Sequence, residues 1–592
     1  MKDTWSLDKL YLGYDDPQFN ADLEALKSDI ETMKEMASSL SHDNELETLK
    51  AIVAIQEAAK TKIMKLYSFI ELKQATNTSD AESVGYGEII TKIINSSAKP
   101  QATFDRYVAE CEKLNEYIAS DEYLQEFGYY LTNIQKNGQY LLSDDVEEAL
   151  SKLNASGGKA WEMMHNYLTS SLEVDYNGEK ITLSQARNLA YESDVNVRKA
   201  AYEAELKGYD KIKDAIAFSL NSIKAQVITE CELRGFASPL DQALNMACMK
   251  KETLDALLSA MDDYMPVFQS YLKRKAEILG HKNGLPWYDL FAPIGENNTK
   301  YSLEEAKDFL VKHFSTFATD LAQMIEQAFD EEWIDFYPRK GKVGGAFCAN
   351  LPFIKQSRVL SNYDGTLGDV CTLAHELGHA YHGMMVENHH MLNTDYSMPV
   401  AETASIFNEN IILNAVLSVS DKKTKYAILE NQLQDLTQIM CDIYSRFLFE
   451  SEVFAKRESA FLFPQQLEEI MLNAQKKAYG DGLDHNALHP YMWVCKGHYY
   501  SSHLSFYNFP YAFGGLFARG LYAKYLEDKD GFVDKYRYML NQTTVRDVED
   551  AAALMGVDIT KKEFWVSALE TAKNTVDEFI ALSKDPEVLG IE

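Results

Sequence analysis

Two histidines and a glutamate stand at a spacing that suits metal-dependent hydrolysis. His375, Glu376 and His379 form the pattern H-E-x-x-H. Residues four apart lie one above the other on a helix face, so both imidazoles can reach the same metal ion. Glu376 then lies beside the open coordination position, where it can act on a water molecule. The spacing predicts a helical zinc site of the hydrolytic type.

Catalytic zinc sites take three protein ligands and leave one position for water. Glu402 is the candidate third ligand, because it begins a second helical pattern after a polar loop long enough to bring the chain back. We therefore predict that His375, His379 and Glu402 hold one Zn²⁺ ion. Glu409 follows Glu402 by about two helical turns on the same face and is predicted to orient a ligand histidine.

Four other residues near the motif are weaker candidates as ligands. Cys371 precedes His375 by one turn, but ligands on three successive turns would span about 12 Å of helix axis. Cys371 is therefore predicted to be a small packing residue, and His382 to be structural or to support a ligand. His389 and His390 lie in an Asn-rich loop and are predicted to be surface residues.

The motif needs a helix, and the surrounding residues predict one. Thr366 and Asp369 can cap its start, and apolar residues follow at helical steps. Residues 22–62 and 144–168 also carry apolar residues every three or four positions, which is typical of amphipathic helices. Only 29 Gly and 13 Pro occur in 592 residues, in agreement with a mainly helical chain.

Two segments interrupt the helical pattern. Short strand-like runs within residues 172–183 flank Asn177-Gly178, a pair that favours a tight hairpin turn. Residues 337–362 contain three glycines and little helical periodicity, and are predicted to be strand and loop. The hairpin is also the only hint of a domain boundary, which we place near residue 195.

Composition disfavours several classes of partner. Lys and Arg number 58 and Asp and Glu 90, for a formal net charge of −32, which argues against nucleic-acid binding. No run of about eighteen apolar residues and no signal-peptide pattern is visible. Seven scattered cysteines contain no C-x-x-C pair, which is typical of a reducing compartment. We predict a cytoplasmic protein without membrane or nucleic-acid partners.

Several runs around the motif resemble the oligoendopeptidase F group of the thimet-oligopeptidase-like zinc metallopeptidases. The matching runs are Pro286–Asp289, Gly344–Phe347, Asn362–Thr366, Thr372–His382, Pro399–Ser405, Lys496–Tyr500 and Phe506–Gly514. The resemblance implies a mainly α, zincin-like helical peptidase with a deep substrate channel and a small β element. With the boundary that the hairpin suggests, we predict a helical N-terminal region at residues 1–195 and a catalytic domain of this metallopeptidase type at residues 196–592.

The implied reaction is hydrolysis of internal peptide bonds in short, unstructured peptides. Zinc would lower the pKa of its water, and Glu376 would take the proton and pass it to the leaving amine. By resemblance, His498 and Tyr511 are placed at the oxyanion, with Tyr507 as a further candidate donor. The run Gly344-Gly345-Ala346 resembles the strand that pairs with the peptide backbone in such enzymes.

Two alternatives remain open at this point. A zinc carboxypeptidase or dipeptidyl carboxypeptidase would use the same metal ligands, together with a cation that holds the substrate's terminal carboxylate. The candidate cations are Arg339, Lys340, Lys342 and Arg358. A helical peptide-binding or scaffold protein with a structural metal is the alternative from another class.

Overall fold

A computed structural model of the protein describes residues 2–295 and 299–589. Most of these residues are in α-helices, so the prediction of a mainly helical chain is confirmed. The helices of the N-terminal third are α1 (Pro17–Ser38), α2 (Glu45–Thr76), α3 (Ala81–Glu110), α4 (Leu114–Ser120), α5 (Glu122–Glu126), α6 (Gly128–Asn137), α7 (Asp144–Ser156), α8 (Gly158–Ser171) and α9 (Leu183–Asn188).

The remaining helices include those that carry the predicted site. They are α10 (Val195–Tyr209), α11 (Lys213–Arg234), α12 (Pro239–Met246), α13 (Lys251–Ile278), α14 (Leu303–Phe314), α15 (Thr319–Asp330), α16 (Leu367–Val386), α17 (Met398–Ala401), α18 (Thr403–Val419), α19 (Lys422–Thr437), α20 (Ile443–Arg457), α21 (Pro464–Tyr479), α22 (Met492–Cys495), α23 (Phe509–Glu527), α24 (Phe532–Gln542), α25 (Val548–Ala553), α26 (Lys562–Leu582) and α27 (Pro586–Leu589).

The described residues form two small sheets. Strands β1 (Glu173–Tyr176) and β2 (Glu179–Thr182) form the predicted antiparallel hairpin. Asn177 and Gly178 at its turn have φ values of 50° and 88°, which explains why the turn uses these residue types.

The second sheet borders the motif helix. Its strands β3 (Ile334–Asp335), β4 (Phe347–Leu351) and β5 (Gln356–Leu360) are ordered β3-β5-β4, so β4 is an edge strand. The prediction of a strand at Gly344-Gly345-Ala346 was wrong, because β4 begins only at Phe347. Gly345 has a φ of 79°, and the run forms a bend that leads into the strand.

Helix α16 forms where the sequence predicts it. The Thr366 side chain accepts a hydrogen bond from the backbone of Asp369, whose carboxylate in turn accepts one from the Thr366 backbone. One face of α16 packs closely on α18, because Gly378 has no side chain. A Cβ at Gly378 would lie 2.6 Å from backbone atoms of Ala404 and Ser405.

The buried apolar residues fall into two clusters. One runs from Trp5 to Leu131 and includes Leu351 and Leu360 of the second sheet, and the other extends from Leu172 to Phe579. The proposed boundary near residue 195 stays a prediction.

None of the helices in the described part of the chain is long and apolar enough to cross a membrane.

Buried ion pairs join helices that are far apart in sequence. Arg198 of α10 and Asp289, 3% and 0% exposed, lie 2.8 Å apart, and Asp289 also contacts His281 at 2.6 Å. Lys275 of α13 and Glu430 of α19 are fully buried and 2.6 Å apart. The first pair joins α10 to the segment that follows α13, and the second joins α13 to α19.

Candidate metal centre

Three side chains from two helices converge on one point. One ligand atom each of His375, His379 and Glu402 lies within 4.8 Å of the others. The two Nε2 atoms are 3.2 Å apart, and each is 3.3 Å from Oε2 of Glu402. Both histidines belong to α16, whereas Glu402 lies at the junction of α17 and α18. The packing of α16 on α18 therefore creates the cluster.

The triangle of ligand atoms fits a tetrahedral metal ion. Ligands bonded at about 2.0–2.1 Å to a tetrahedral ion are about 3.3 Å apart, in agreement with the observed edges. Burial alone would lower the pKa of His375, but hydrogen bonds to Glu402 and Glu409 raise it to about 10. The two carboxylates therefore strongly favour a positive charge beside His375, whether it is a proton or a metal ion.

Hydrogen bonds orient the ligand side chains. Nδ1 of His375 donates to Oε1 of Glu409 at 2.5 Å, which leaves its Nε2 free to face the cluster. The Ser405 hydroxyl donates to Oε2 of Glu402 at 2.7 Å. Ser405 and Glu409 both lie on α18. This helix directly follows Glu402, and through Glu409 it also orients His375.

Glu376 lies beside the ligand triangle and is 5% exposed. Burial is the main cause that raises the pKa of its carboxyl group. His375 and His379 oppose this rise, whereas Glu402 and Glu409 add to it. A raised pKa makes the carboxylate of Glu376 a stronger proton acceptor.

The predicted oxyanion donors form one group of rings. The ring centroid of His498 is 5.0 Å from that of Tyr507 and 6.0 Å from that of Tyr511, and the two tyrosine centroids are 5.4 Å apart. Tyr511 belongs to α23, which packs against the metal centre. A Cβ on Gly514 of this helix would lie 3.0 Å from the Cβ of Glu402.

Two cations act on His498, and one of them, Arg446, was not singled out from the sequence. Arg446 forms an ion pair with Asp442, and the half-buried Lys496 is nearby. Burial, followed by the charges of Arg446 and Lys496, lowers the pKa of His498 to about 4. His498 is therefore neutral at neutral pH, and a neutral ring N–H can donate to a substrate oxygen.

The segment that carries Tyr507 is held by a buried ion pair. Lys224 and Glu450, 0% and 1% exposed, are 2.7 Å apart. Glu450 also accepts hydrogen bonds from the backbone N–H of Phe506 at 3.1 Å and the side chain of Asn508 at 2.9 Å. This contact was not predicted, because charged residues on amphipathic helices are usually exposed.

The other histidines near the motif lie outside the cluster. His382 is fully buried and hydrogen-bonded to Thr543 at 2.7 Å, as expected of a structural residue. His389 and His390 are partly exposed at the protein surface, and 40% of the His390 side chain is accessible. His390 is paired with Glu126 of the N-terminal helices, which explains its partial burial.

A cavity of about 610 Å³ adjoins the cluster on the side of His375 and Glu409. Its walls come from the N-terminal half of α16 and from α18 and α19. Cys371, predicted to be a packing residue, lines this cavity, and so does Asp435. Asp435 was missed, because the sequence offers no signal that separates it from the other acids of an amphipathic helix.

Most of the cations suggested for an exopeptidase are engaged elsewhere. Arg339 donates to both oxygens of Asp335 at 2.6 and 2.8 Å, and Lys342 lies 2.6 Å from the same carboxylate. Arg358 is 1% exposed and donates to a main-chain carbonyl of the N-terminal segment at 2.7 Å. Lys340 is exposed.

A mainly helical body in which an H-E-x-x-H helix meets a glutamate at the start of a second helix is the arrangement of a metallopeptidase. A profile described as "Peptidase family M3" matches residues 188–571, and one described as "Oligopeptidase F" matches residues 109–173. The first match covers more than half of the chain, so the protein belongs to peptidase family M3.

Similar proteins match over most of the chain. Oligopeptidase PepF of Bacillus subtilis is 23% identical over 98% of this chain and 87% of its own length. Group B oligopeptidase PepB of Streptococcus agalactiae is 26% identical over 90% of each chain. The crystal structure of oligoendopeptidase-F from Enterococcus faecium covers 95% of this chain and 98% of its own, with a TM-score of 0.72 and 17% identity.

Proposed function

We propose that this protein is a zinc-dependent endopeptidase that hydrolyses internal bonds of short, unstructured oligopeptides. The observation that carries the proposal is the triangle formed by His375, His379 and Glu402, with the buried carboxyl group of Glu376 beside it. The relatives named oligopeptidase support the substrate class.

His375, His379 and Glu402 would hold a Zn²⁺ ion, which would supply Lewis acidity to lower the pKa of water and polarise the substrate carbonyl. Glu376 takes a proton from the attacking water as the water oxygen bonds to the peptide carbon. When the C–N bond breaks, Glu376 gives this proton to the leaving amine. The products are a carboxylate and an amine.

Neutral donors stabilise the negative oxygen that develops during the attack. His498 is in its neutral form because its pKa is lowered to about 4, and it is proposed as a donor together with Tyr511. Tyr507 lies in the same group of rings and is proposed as a further candidate donor. Hydrogen bonds aimed at the oxyanion act only in the transition state, so they raise kcat.

Endopeptidase action is favoured over exopeptidase action by the contacts of the nearby cations. Arg339, Lys342 and Arg358 are committed to other protein groups, so they are poorly available to hold a terminal carboxylate. Strand β4 lies at the edge of its sheet and can instead pair with the backbone of an extended peptide, whatever its sequence. We also propose a cytoplasmic location, supported by seven free cysteines.

The Glu376→Gln variant tests the mechanism. It should keep bound zinc, measured by metal analysis, and lose hydrolysis by at least roughly 100-fold, because the proton acceptor is gone. The substrate should be a peptide blocked at both ends, with the cuts mapped by mass spectrometry. Undiminished hydrolysis by this variant would refute the mechanism, and failure to cut blocked peptides would favour an exopeptidase.

A further inference from the structure

We propose that the cavity beside the metal centre is a specificity pocket for a lysine or arginine side chain of the peptide, with Asp435 as its counter-charge. The proposal rests on the proposed function and adds a substrate preference to it. The pocket would receive the residue that directly follows the cleaved bond.

The lining of the cavity matches a long cationic side chain. Leu367, Leu413 and Ile428 contribute apolar walls for a methylene stem. Apart from His375 at the metal centre, the charged side chains in the lining are carboxylates, and neither lysine nor arginine is among the described residues that line it. An aliphatic stem that ends in a positive charge therefore satisfies both parts of the surface.

Asp435 is the carboxylate that remains free for a ligand. The other two in the lining are committed, since Asp369 caps α16 and Glu409 accepts from His375. The carboxylate of Asp435 accepts no hydrogen bond and forms no ion pair with any residue that the structure describes, and the residue is exposed where it lines the cavity.

The surroundings of Asp435 make a cationic partner favourable. Partial burial raises its pKa to about 6, and the charges of Glu409 and Glu430 act in the same direction. Arg519 of α23 opposes this rise, but Arg519 does not belong to the cavity lining. An unpaired carboxylate that is partly removed from water gains stability when a cation approaches.

The direction of the neighbouring strand indicates which residue of the peptide enters the cavity. The side chain of Asn362, just before α16, donates to the carbonyl of Gly345, just before β4, at 2.7 Å. Asn350, near the end of β4, donates to the carbonyl of His379 in the second half of α16 at 3.2 Å. Strand β4 and α16 therefore run in the same direction.

A peptide that pairs antiparallel with β4 would run opposite to α16. Antiparallel pairing is slightly more stable per residue than parallel pairing. The residues after the cleaved bond would then lie over the N-terminal half of α16, where Cys371 lines the cavity. This places the pocket at the residue that follows the bond.

Blocked peptides that differ only in lysine or norleucine at this position provide the test, because norleucine lacks only the ammonium group. We expect kcat/KM to be about tenfold higher for the lysine peptide, and Asp435→Asn to bring the ratio close to one. Asp308→Asn, which removes the same charge from an exposed residue of α14, should keep the preference. A lysine preference that is absent, or that survives Asp435→Asn, would overturn the proposal.

Two further measurements keep the test independent of catalysis and of stability. Equilibrium binding of the same peptides to the Glu376→Gln variant should show the same lysine preference, and this preference should disappear when Asp435→Asn is added. If binding shows the preference but no peptide is cut, the proposed function fails and the pocket stands. Asp435→Lys should reverse the preference toward glutamate, and no reversal in a folded variant counts against the pocket.

Discussion

His375 is the ligand whose orientation depends most clearly on another side chain. Its Nδ1–H donates to Glu409, so the proton is held on the side away from the cluster and the Nε2 lone pair faces inward. Without this acceptor, the ring can rotate or change tautomer, and either change removes the lone pair from the metal position. We infer that Glu409 is a positioning residue.

Glu409→Gln should weaken zinc binding by roughly 10- to 100-fold, because the amide is a weaker acceptor for the Nδ1–H group. The measurement is the zinc dissociation constant, obtained by competition with a chromogenic chelator. Glu304→Gln, on an exposed residue of α14, is the matched control and should bind zinc like the unmodified protein. Unchanged affinity in Glu409→Gln would show that Glu409 does not orient the ligand.

At the scale of elements, the distance between α16 and α18 controls the metal centre. Helix α16 supplies both histidines and Glu402 directly precedes α18, and the two helices approach closely where Gly378 faces the backbone of Ala404 and Ser405. The neighbouring atoms belong to the backbone of a packed helix, so they cannot turn aside as a flexible side chain would. Any added atom must push the helices apart.

Gly378→Ala should therefore destabilise the protein by about 1–3 kcal/mol and weaken zinc binding. Denaturant unfolding measures the first effect and chelator competition the second. Gly85→Ala in α3 is the matched control, because the added Cβ would have no atom within 4 Å apart from its chain neighbours and the backbone of its own helix. This control should stabilise the protein by about 0.5–1 kcal/mol, as expected for alanine in a helix interior. If the two variants have the same stability and the same zinc affinity, close packing at Gly378 does not control the metal centre.

At the scale of the whole molecule, the net charge of −32 creates a field that attracts cations. This field acts on the total charge of a peptide, whereas the pocket at Asp435 acts on one position. The two effects can therefore be separated by moving a lysine along the peptide.

Raising the salt concentration from about 0.05 to 0.5 M should lower kcat/KM for cationic blocked peptides by roughly three- to tenfold, because ions screen the long-range field. Neutral peptides of the same length are the control and should change little. The measurement is the initial rate at low substrate concentration over a salt series. Equal salt dependence for both peptides would exclude electrostatic steering.

The sequence by itself determined the features that depend on near neighbours. The capping box of Thr366 and Asp369 starts α16 where predicted, and Asn177-Gly178 makes the hairpin turn, because both involve contacts within a few residues. The spacing of His375 and His379 follows from helix geometry in the same way.

Only the tertiary structure decided which distant residues meet. Helical periodicity tells which face of a helix is apolar but not which helix will cover it. The approach of Glu402 to the histidines depends on the fit of α18 against Gly378, and the pairing of Arg198 with Asp289 depends on the packing of α10. Asp435 resembles any solvated acid until α16, α18 and α19 enclose a cavity around it, because a pocket is a property of packed helices.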